Sequence, residues 1–476
     1  MIPKYHEAFV YPFATNLGHY LYDVNTNAIL KTTSNIYNFY KINDEKILQG
    51  KDINILEKMT SEGFLKPNKI QNIEHPVTSI LSSYMNRKVQ TITLQLTQQC
   101  NLRCKYCAYS GNYNTRVHGT KKMSLELAKN AIDFLVKHSL DLDEINIGFY
   151  GGEPLLCFNE IKQLVLYAQN RAEGKNISYN ITTNGTLFND ENIKFMQENS
   201  FMVTISLDGP EEIHDRNRVF ASNGKGTYST IISNIKYIKE NYPNFYSQLT
   251  FNAVIDPTTD RVCSSNFFIN CKEIEGAPLS ASIISPIGLK NKIKINEQFF
   301  INEDVEDFKL MLNKIGRLSS EKVSKISEAR FNQMLATINL MRLRSRDLPE
   351  VIHPSGPCIP GARKLMIDVE GSFYPCESVP EVSALRIGNI SEGFDLQAIS
   401  ALLNVGKLTE ERCKNCWGIR LCTQCCLPAA NENGLSKELR LFECNNVLRS
   451  HEQSFKDFCT LKEYGYAFST EIFKLN

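Results

Sequence analysis

Alternation of short apolar strands with amphipathic helices, from about residue 91 to residue 284, is the feature that most limits the folds open to this chain. Strands are predicted at residues 92–96, 145–150, 177–182, 202–207, 249–255 and 279–284. Helices are predicted between them at residues 125–137, 160–172, 191–199, 228–241 and 262–273. Successive βα units with apolar strands favour a parallel sheet that is covered by helices and curls into a barrel. We therefore predict an α/β fold with a partial (β/α)6 TIM-like barrel, whose functional residues lie at the carboxyl ends of the strands.

The segments that flank the barrel have different patterns. Residues 20–31 predict a β-hairpin with a turn at 25–27, and short helices and a strand at Phe64 follow it. This order indicates an N-terminal winged-helix-like module, and a packing extension of the main domain is an equally supported alternative. Residues 303–345 are predicted to be helical. We expect domains at 1–85 (the module), 86–300 (the barrel), 301–350 (a helical bridge) and 351–476 (a cysteine-rich domain with a C-terminal tail).

Charge and hydropathy exclude several classes of protein. Lys plus Arg (53) and Asp plus Glu (52) leave a formal net charge of +1, so no overall field marks a nucleic-acid or membrane-surface binder. No stretch approaches the roughly 18 uninterrupted apolar residues of a membrane helix, and the N-terminus lacks the regions of a signal peptide. We expect a soluble, cytoplasmic protein that binds neither nucleic acid nor membrane.

The fifteen cysteines indicate metal or redox chemistry, because a chain without an export signal sits among reduced thiols and does not rely on disulfides. Cys100, Cys104 and Cys107 follow the first barrel strand within eight residues. Three thiols in one loop hold three corners of a metal cluster and leave the fourth open, whereas a structural zinc site needs a fourth ligand.

The spacing Cys-x3-Cys-x-aromatic-Cys, with Tyr106 as the aromatic residue, resembles the hallmark of the radical S-adenosylmethionine (SAM) superfamily. The resemblance implies that Cys100, Cys104 and Cys107 are catalytic ligands of a 4Fe-4S cluster. The fourth iron would chelate SAM and give a 5'-deoxyadenosyl radical.

Further SAM contacts are implied where the next strands end. Taken singly, each of these residues has a simpler interpretation as a turn, a helix cap or a surface ion pair. Glycine lets the backbone approach a ligand, Glu153 suits an ammonium group, and Arg218 suits a carboxylate. The implied contacts are Tyr106, Gly151, Gly152, Glu153, Thr182, Asn184, Ser206, Asp208 and Arg218.

The C-terminal cysteines have a second recognisable order. Two Cys-x2–3-Cys pairs between residues 413 and 426 fit a zinc ribbon, but the full order resembles the SPASM domain, which carries two auxiliary 4Fe-4S clusters. The resemblance gives three clusters in all. The implied outer ligands are Cys413, Cys416, Cys422 and Cys444, and the implied inner ligands are Cys358, Cys376 and Cys426. A fourth inner ligand is missing, so we hypothesise an open iron that binds a substrate thiolate, with Cys425 as the alternative ligand.

The segment CNLRCKYCAYSGNY, followed by Arg116, His118 and Met123, resembles maturases of cysteine-rich peptides (sactipeptides and ranthipeptides). This resemblance implies thioether crosslinks from a cysteine sulfur to carbon in a ribosomally synthesised precursor peptide. The N-terminal module would bind the leader sequence by strand addition, and an external donor such as flavodoxin or ferredoxin would supply electrons. The alternatives are formylglycine formation as in anaerobic sulfatase maturases, carbon–carbon crosslinking of a peptide, and a non-catalytic, zinc-stabilised peptide-binding protein.

Overall fold

The computed structural model of the chain describes residues 5–113, 116–259, 261–284, 289–291, 293–343, 347–354 and 358–468. The end of the helical stretch predicted for 303–345 and the tail after residue 468 lie outside the described residues. None of the described helices is long and apolar enough to cross a membrane.

The N-terminal unit is a three-stranded antiparallel sheet followed by two helices. Strands β1 (Val10–Ala14), β2 (His19–Asp23) and β3 (Ala28–Thr32) lie in that order, and helices α1 (Ser34–Ile42) and α2 (Gly50–Ser61) follow. The Thr33 hydroxyl accepts the Ile36 N–H and so caps α1. It also donates to the buried Asp52 carboxylate at 2.7 Å, which fastens α2 to α1.

The strand predicted at Phe64 was wrong. Leu65 adopts a φ of 59°, in the left-handed region that interrupts an extended strand. Its N–H donates to the Asp23 carboxylate at 2.7 Å, which stabilises this turn. The next extended pair, β4 (Asn72–Ile73), joins residues 351–352 and not the N-terminal sheet. The unit is therefore an antiparallel sheet with two helices, and its winged-helix character stays a prediction.

The central sheet confirms the predicted parallel α/β architecture. After α3 (Leu81–Arg87) come β5 (Thr91–Thr97), β6 (Glu144–Gly151), β7 (Asn176–Thr183), β8 (Phe201–Ser206), β9 (Leu249–Ile255) and β10 (Leu279–Ile283). The helices between the strands are α4 (Leu125–His138), α5 (Phe158–Arg171), α6 (Asp190–Glu198), α7 (Glu211–Asn217), α8 (Tyr228–Asn241), α9 (Pro243–Tyr246) and α10 (Arg261–Asn270). All six strands are parallel, and each pairs with its neighbours in sequence.

Side chains alternate along each strand and give the sheet two chemically different faces. On β5, Ile92, Leu94 and Leu96 pack in the main apolar core under the helices. Thr91 and Thr93, on the opposite face, line an internal cavity. The alternation therefore covers the inside of the curved sheet with polar groups.

The C-terminal part of the chain extends the sheet. Its elements are α11 (Glu297–Lys314), α12 (Lys325–Leu343), β11 (Val351–Ile352), β12 (Leu365–Ile367), β13 (Phe373–Tyr374), β14 (Gly388–Asn389), β15 (Gly393–Phe394), α13 (Leu396–Leu403), α14 (Glu410–Lys414), β16 (Ala430–Asn431), β17 (Gly434–Leu435) and α15 (Lys437–Glu463). Strand β12 pairs in parallel with β5, and β13 pairs antiparallel with β12. The cysteine-rich region thus contributes two strands to the same sheet as the barrel.

A second apolar cluster joins the N-terminal sheet to the C-terminal helices. Phe13 and Tyr22 from the sheet pack with Phe455 of α15, and the Tyr11 ring stacks on Trp417 at a centroid distance of 4.0 Å. The N-terminal unit is therefore held against the C-terminal region by aromatic packing.

Candidate functional site

A cavity of about 730 Å³ opens inside the curved sheet and reaches the carboxyl ends of its strands. Its size falls in the range of small-molecule sites. Of the residues predicted for the first cluster and for SAM, all but Asp208 line it: Cys100, Cys104, Tyr106, Cys107, Gly151, Gly152, Glu153, Thr182, Asn184, Ser206 and Arg218. The structure therefore gathers into one chamber residues that are spread over more than a hundred positions of sequence.

The three cysteines of the first loop are surrounded by N–H donors. The backbone N–H of Leu102 donates to Cys100 Sγ and that of Tyr109 to Cys107 Sγ, both at 3.4 Å. Asn184 Nδ2 lies 3.9 Å from Cys100 Sγ. Burial raises the pKa of the Cys100 thiol to about 12, so a bound metal is required to hold it as a thiolate. Donors aimed at the sulfurs suit thiolates that ligate an iron–sulfur cluster.

A buried ion pair stands behind the cysteine loop. The Arg218 guanidinium donates to the Asp208 carboxylate through Nε at 2.9 Å and through Nη2 at 3.2 Å. The Tyr106 hydroxyl donates to the same carboxylate, and Arg218 lies over the Tyr106 ring, 5.3 Å from its centroid. Arg218 Nη1 reaches to 3.9 Å from Cys104 Sγ. Asp208 thus orients Arg218 and Tyr106 from outside the wall of the chamber, whereas we expected it to contact the ligand.

The two glycines at the end of β6 are needed for close packing of the backbone, and their approach to a ligand stays a prediction. A Cβ on Gly151 would lie 2.2 Å from the Thr97 carbonyl oxygen, and one on Gly152 would lie 2.0 Å from the Gln99 carbonyl oxygen. Gly151 also has a φ of 129°. The Gly152 N–H donates to the Thr97 carbonyl at 2.8 Å. The glycines therefore allow the turn to pack against the backbone that leads into the cysteine loop.

The Glu153 carboxylate faces protein donors. It accepts the Leu155 N–H at 3.0 Å, the Thr183 hydroxyl at 2.8 Å and the Asn184 N–H at 2.8 Å. Burial raises its pKa to about 6, and these three hydrogen bonds oppose the rise. The carboxylate thus fastens the end of β6 to the end of β7. Glu153 also lines the chamber, and its contact with an ammonium group stays a prediction.

The remaining predicted contacts come from the ends of β7 and β8. Asn184 Nδ2 donates to Asn101 Oδ1 at 2.8 Å, and Asn184 Oδ1 accepts the Thr186 N–H at 3.0 Å, so this side chain links β7 to the cysteine loop. Thr182 and Ser206 present their side chains to the chamber. Their hydroxyls suit the polar groups of a bound ligand.

The four predicted outer cysteines lie within electrostatic reach of one another. Burial raises the pKa of the Cys416 thiol to about 12, and Cys422, Cys413 and Cys444 add to the rise. The Thr409 hydroxyl lies 3.2 Å from Cys413 Sγ. The structure therefore brings together one thiol from α14, two from the loop that follows and one from α15.

The inner thiols include Cys425, the alternative fourth ligand. Burial raises the pKa of the Cys376 thiol, and Cys425 adds to the rise. A hydrogen bond from Cys426 lowers the pKa of Cys425, while the same contact raises the pKa of Cys426. Cys376, Cys425 and Cys426 thus form one group, whereas Cys358 is exposed. This arrangement supports Cys425 as a ligand and weakens the open-iron hypothesis.

Comparison with known proteins places the chain in a family. The radical SAM superfamily model matches residues 94–261, and an uncharacterized protein of Methanocaldococcus jannaschii is 33% identical over 228 residues, 48% of this chain and 71% of that protein. The chain belongs to the radical SAM superfamily. It is therefore a radical SAM enzyme that modifies a substrate, and the superfamily uses SAM and a 4Fe-4S cluster.

Other relatives have named activities. A cysteine-type anaerobic sulfatase-maturating enzyme of Clostridium novyi is 29% identical over 340 residues, 69% of this chain and 85% of that enzyme. A radical SAM cyclopropyl synthase of Paramaledivibacter caminithermalis is 26% identical over 231 residues, 46% of this chain and 47% of the synthase. The solved structure of native anSMEcpe with bound AdoMet superposes with a TM-score of 0.59 at 22% identity, covering 79% of this chain and 98% of that chain. This last likeness shows the fold.

A polar network that we did not predict from the sequence joins the radical SAM chamber to the cysteine-rich region. Gln95 Nε2 donates to the Tyr109 hydroxyl at 2.5 Å and to Glu381 Oε1 at 2.8 Å, and Gln95 Oε1 accepts the Val369 N–H at 3.1 Å. Arg116 Nε lies 2.9 Å from Glu381 Oε1. The signal for this network was Gln95 itself, a buried amide in an otherwise apolar strand segment, which requires a partner.

Proposed function

We propose that this radical SAM enzyme matures a ribosomally synthesised, cysteine-rich peptide by joining a cysteine sulfur to a carbon atom. The observation that carries the proposal is one chain with three parts: the cysteine-lined chamber, a second thiol-rich region bordering it, and an N-terminal sheet with an open edge. When bound, SAM and the three clusters supply a carbon-centred radical that removes hydrogen from the substrate, and an acceptor for the remaining electron. The net change is loss of two hydrogens for each carbon–sulfur bond formed.

The N-terminal sheet has the features of a peptide-docking edge. Within the described chain, β3 pairs with β2 alone. A groove of about 700 Å³ runs beside the start of β3, where Ala28 and Ile29 face Ile338 and Met341 of α12 and Phe458 of α15. An extended leader peptide that adds to β3 would gain main-chain hydrogen bonds from the edge and apolar contacts from this groove. The leader is therefore our proposed occupant.

The wall of the chamber supports a peptide substrate that reaches both thiol-rich regions. Arg363, Lys364 and Glu377 belong to the C-terminal region, yet they line the same chamber as the first cysteine loop. Lys364 Nζ and Glu377 Oε1 are paired at 2.7 Å. A core peptide bound here lies between the SAM-binding loop and the segment that carries Cys376, as required for a radical on carbon to meet a sulfur.

The arrangement of the cysteines supports iron–sulfur clusters rather than zinc ions in both thiol-rich regions. Among the residues that the structure describes, no three His, Cys, Asp or Glu side chains are arranged to hold a single metal ion. A four-iron cluster takes its thiolates on separate irons, so its ligands lie further apart than those around one zinc ion. We propose Cys413, Cys416, Cys422 and Cys444 as the outer ligands. We propose Cys376, Cys425 and Cys426 with Cys358 as the inner ligands.

Formylglycine formation is the second candidate, because named relatives are anaerobic sulfatase-maturating enzymes. The N-terminal sheet and its groove favour the leader-dependent reaction, since a short sulfatase motif needs no leader site. About a fifth of this chain also lies outside the match to anSMEcpe, which itself is covered almost completely.

One experiment separates these reactions. Reconstituted enzyme is incubated anaerobically with SAM, a reductant and a cysteine-rich leader–core peptide, and the product is analysed by mass spectrometry before and after thiol alkylation. Loss of two hydrogens with thiols that no longer alkylate is expected for a thioether. An aldehyde at one position would establish formylglycine formation, and loss of hydrogens with every thiol still alkylated would establish carbon–carbon crosslinking. The Cys100→Ala enzyme and a leaderless peptide are the controls.

A further inference from the structure

Arg440, on α15, is a buried cation without a carboxylate partner. Its side chain is fully buried, with 1% of the residue exposed. Nε donates to the Thr409 hydroxyl at 3.1 Å, and Nη1 is buried without a hydrogen-bond acceptor. No carboxylate in the described ranges lies within ion-pair distance of it. Burying an uncompensated guanidinium is costly, so the fold requires an anion beside it.

The outer group of C-terminal cysteines lies next to this guanidinium. Thr409, which accepts from Arg440, lies 3.2 Å from Cys413 Sγ. The Thr409 hydroxyl therefore bridges the Arg440 guanidinium to one of the proposed outer ligands. A second outer thiol, Cys444, lies one helical turn after Arg440 on α15 and donates to its carbonyl at 3.4 Å.

Gln424 gives a second, independent sign that a bound anionic acceptor lies in this region. It lies between Cys422 and Cys425 in sequence and is 4% exposed. Both polar atoms of its side chain are buried without partners in the protein. A buried amide donor and a buried guanidinium donor beside the same thiols fit hydrogen bonding to sulfur of a bound cluster.

We propose that Arg440 is a counter-ion of the outer auxiliary cluster and that it raises the reduction potential of that cluster. The inference rests on the proposed function, which supplies the clusters. One-electron reduction makes a thiolate-ligated cluster more negative, and a fixed positive charge in a low-dielectric interior stabilises that state. Removing this charge is therefore expected to lower the reduction potential of the outer cluster.

The test is a redox titration of the full-length protein, followed by electron paramagnetic resonance. The variant Cys100→Ala/Cys104→Ala/Cys107→Ala serves as background, so that only auxiliary signals remain. Arg440→Gln removes the buried charge, and Arg440→Lys retains it. Arg412→Gln is the matched control, because Arg412 directly precedes Cys413 but is exposed, where it donates to Asn445.

Arg440→Gln is expected to lower the midpoint potential of the outer cluster. At a fixed potential the ratio of reduced to oxidised outer cluster is expected to fall at least tenfold, which corresponds to about 59 mV for one electron. Arg440→Lys is expected to restore most of the shift, and Arg412→Gln to cause none. Unchanged potentials in an Arg440→Gln protein with full iron content would overturn the inference and leave the proposed function intact. If Arg440→Gln loses its iron, the test passes to Arg440→Lys, which keeps the charge. A midpoint potential in iron-loaded Arg440→Lys that differs from that of the background protein would equally overturn the charge argument. A background protein that binds no iron would overturn the auxiliary clusters themselves.

Discussion

Asp208→Asn tests whether the buried ion pair behind the cysteine loop holds the SAM chamber together. The Asp208 carboxylate accepts hydrogen bonds from the Tyr106 hydroxyl, from two nitrogens of Arg218 and from the Val254 N–H. Asparagine keeps a single acceptor oxygen, and its amide N–H groups face the donors that one carboxylate oxygen of Asp208 accepted from. The substitution also leaves the Arg218 guanidinium buried without its counter-charge.

The magnitude follows from the burial of both partners. The side chains of Asp208 and Arg218 are 1% and 8% exposed. Removing one partner of such a pair costs about 3–5 kcal/mol, because the other charge stays buried without compensation. The exposed Asp133–Arg171 pair has a comparable separation of 2.6 Å, but its side chains are 36% and 55% exposed. Asp133→Asn is therefore expected to cost less than about 1 kcal/mol.

Hydrogen exchange gives a local measure of this loss. The Val254 N–H donates to Asp208 Oδ1 at 3.0 Å, so exchange of the β9 segment, followed by mass spectrometry, reports on opening at the site. A double-mutant cycle with Arg218→Met isolates the pair. The doubly substituted protein buries no charge at this position. Its loss of stability is therefore expected to be smaller than the sum of the two single losses by about 2 kcal/mol or more.

Two results would refute this reasoning. One is an Asp208→Asn protein in which β9 exchanges no faster than in Asp133→Asn. The other is strict additivity in the cycle, which would mean that Asp208 and Arg218 each interact mainly with other groups.

Four further perturbations test the rest of the site. Cys100→Ala is expected to abolish reductive cleavage of SAM and to remove about four irons per chain; an iron assay showing no loss would contradict its role as a ligand. Cys425→Ala is expected to change the paramagnetic spectrum of one auxiliary cluster, and an unaltered spectrum would revive the open-iron hypothesis. Ile29→Asp, in the groove beside β3, is expected to weaken leader binding at least tenfold in fluorescence anisotropy while SAM cleavage persists; the exposed Leu17→Asp is the control, and equal affinities would place the leader elsewhere. Gly152→Ala puts a methyl group 2.0 Å from a carbonyl oxygen of the segment before the cysteine loop, so iron content and SAM affinity should both fall, and normal values would show that the turn can shift.

Sequence periodicity predicted the central sheet well because each strand combines length with dense apolar residues. The first strand was expected at 92–96 and spans Thr91–Thr97, and the last was expected at 279–284 and spans Leu279–Ile283. Strand β12 has three residues, all buried, and therefore carries no alternation from which to predict it. It becomes a strand only because the edge of β5 offers it hydrogen bonds.

The residues that line the site could be predicted from the sequence, but the hydrogen bonds among them could not. Short motifs at strand ends identify which residues meet, since parallel strands bring their carboxyl ends to one edge. They do not show which polar groups are already satisfied by the protein. Glu153 and Asp208 were both predicted to contact the ligand, yet the Asp208 carboxylate accepts four hydrogen bonds and the Glu153 carboxylate three from neighbouring segments. Such pairings depend on long-range contacts that spacing does not encode.

The same long-range contacts explain how the C-terminal segment that carries Cys376 comes to border the chamber of the first cysteine loop. Strand β12 extends the sheet at β5, the strand that leads directly into the first cysteine loop. Gln95 of β5 bonds both Glu381 and the Val369 backbone, and Arg116, just after that loop, donates to the Val379 carbonyl at 2.7 Å. The segment that carries Cys376 is thereby fixed to the barrel from both sides. In the proposed reaction, where a radical formed at one end of the chamber must meet sulfur held at the other, this rigidity sets the distance between them.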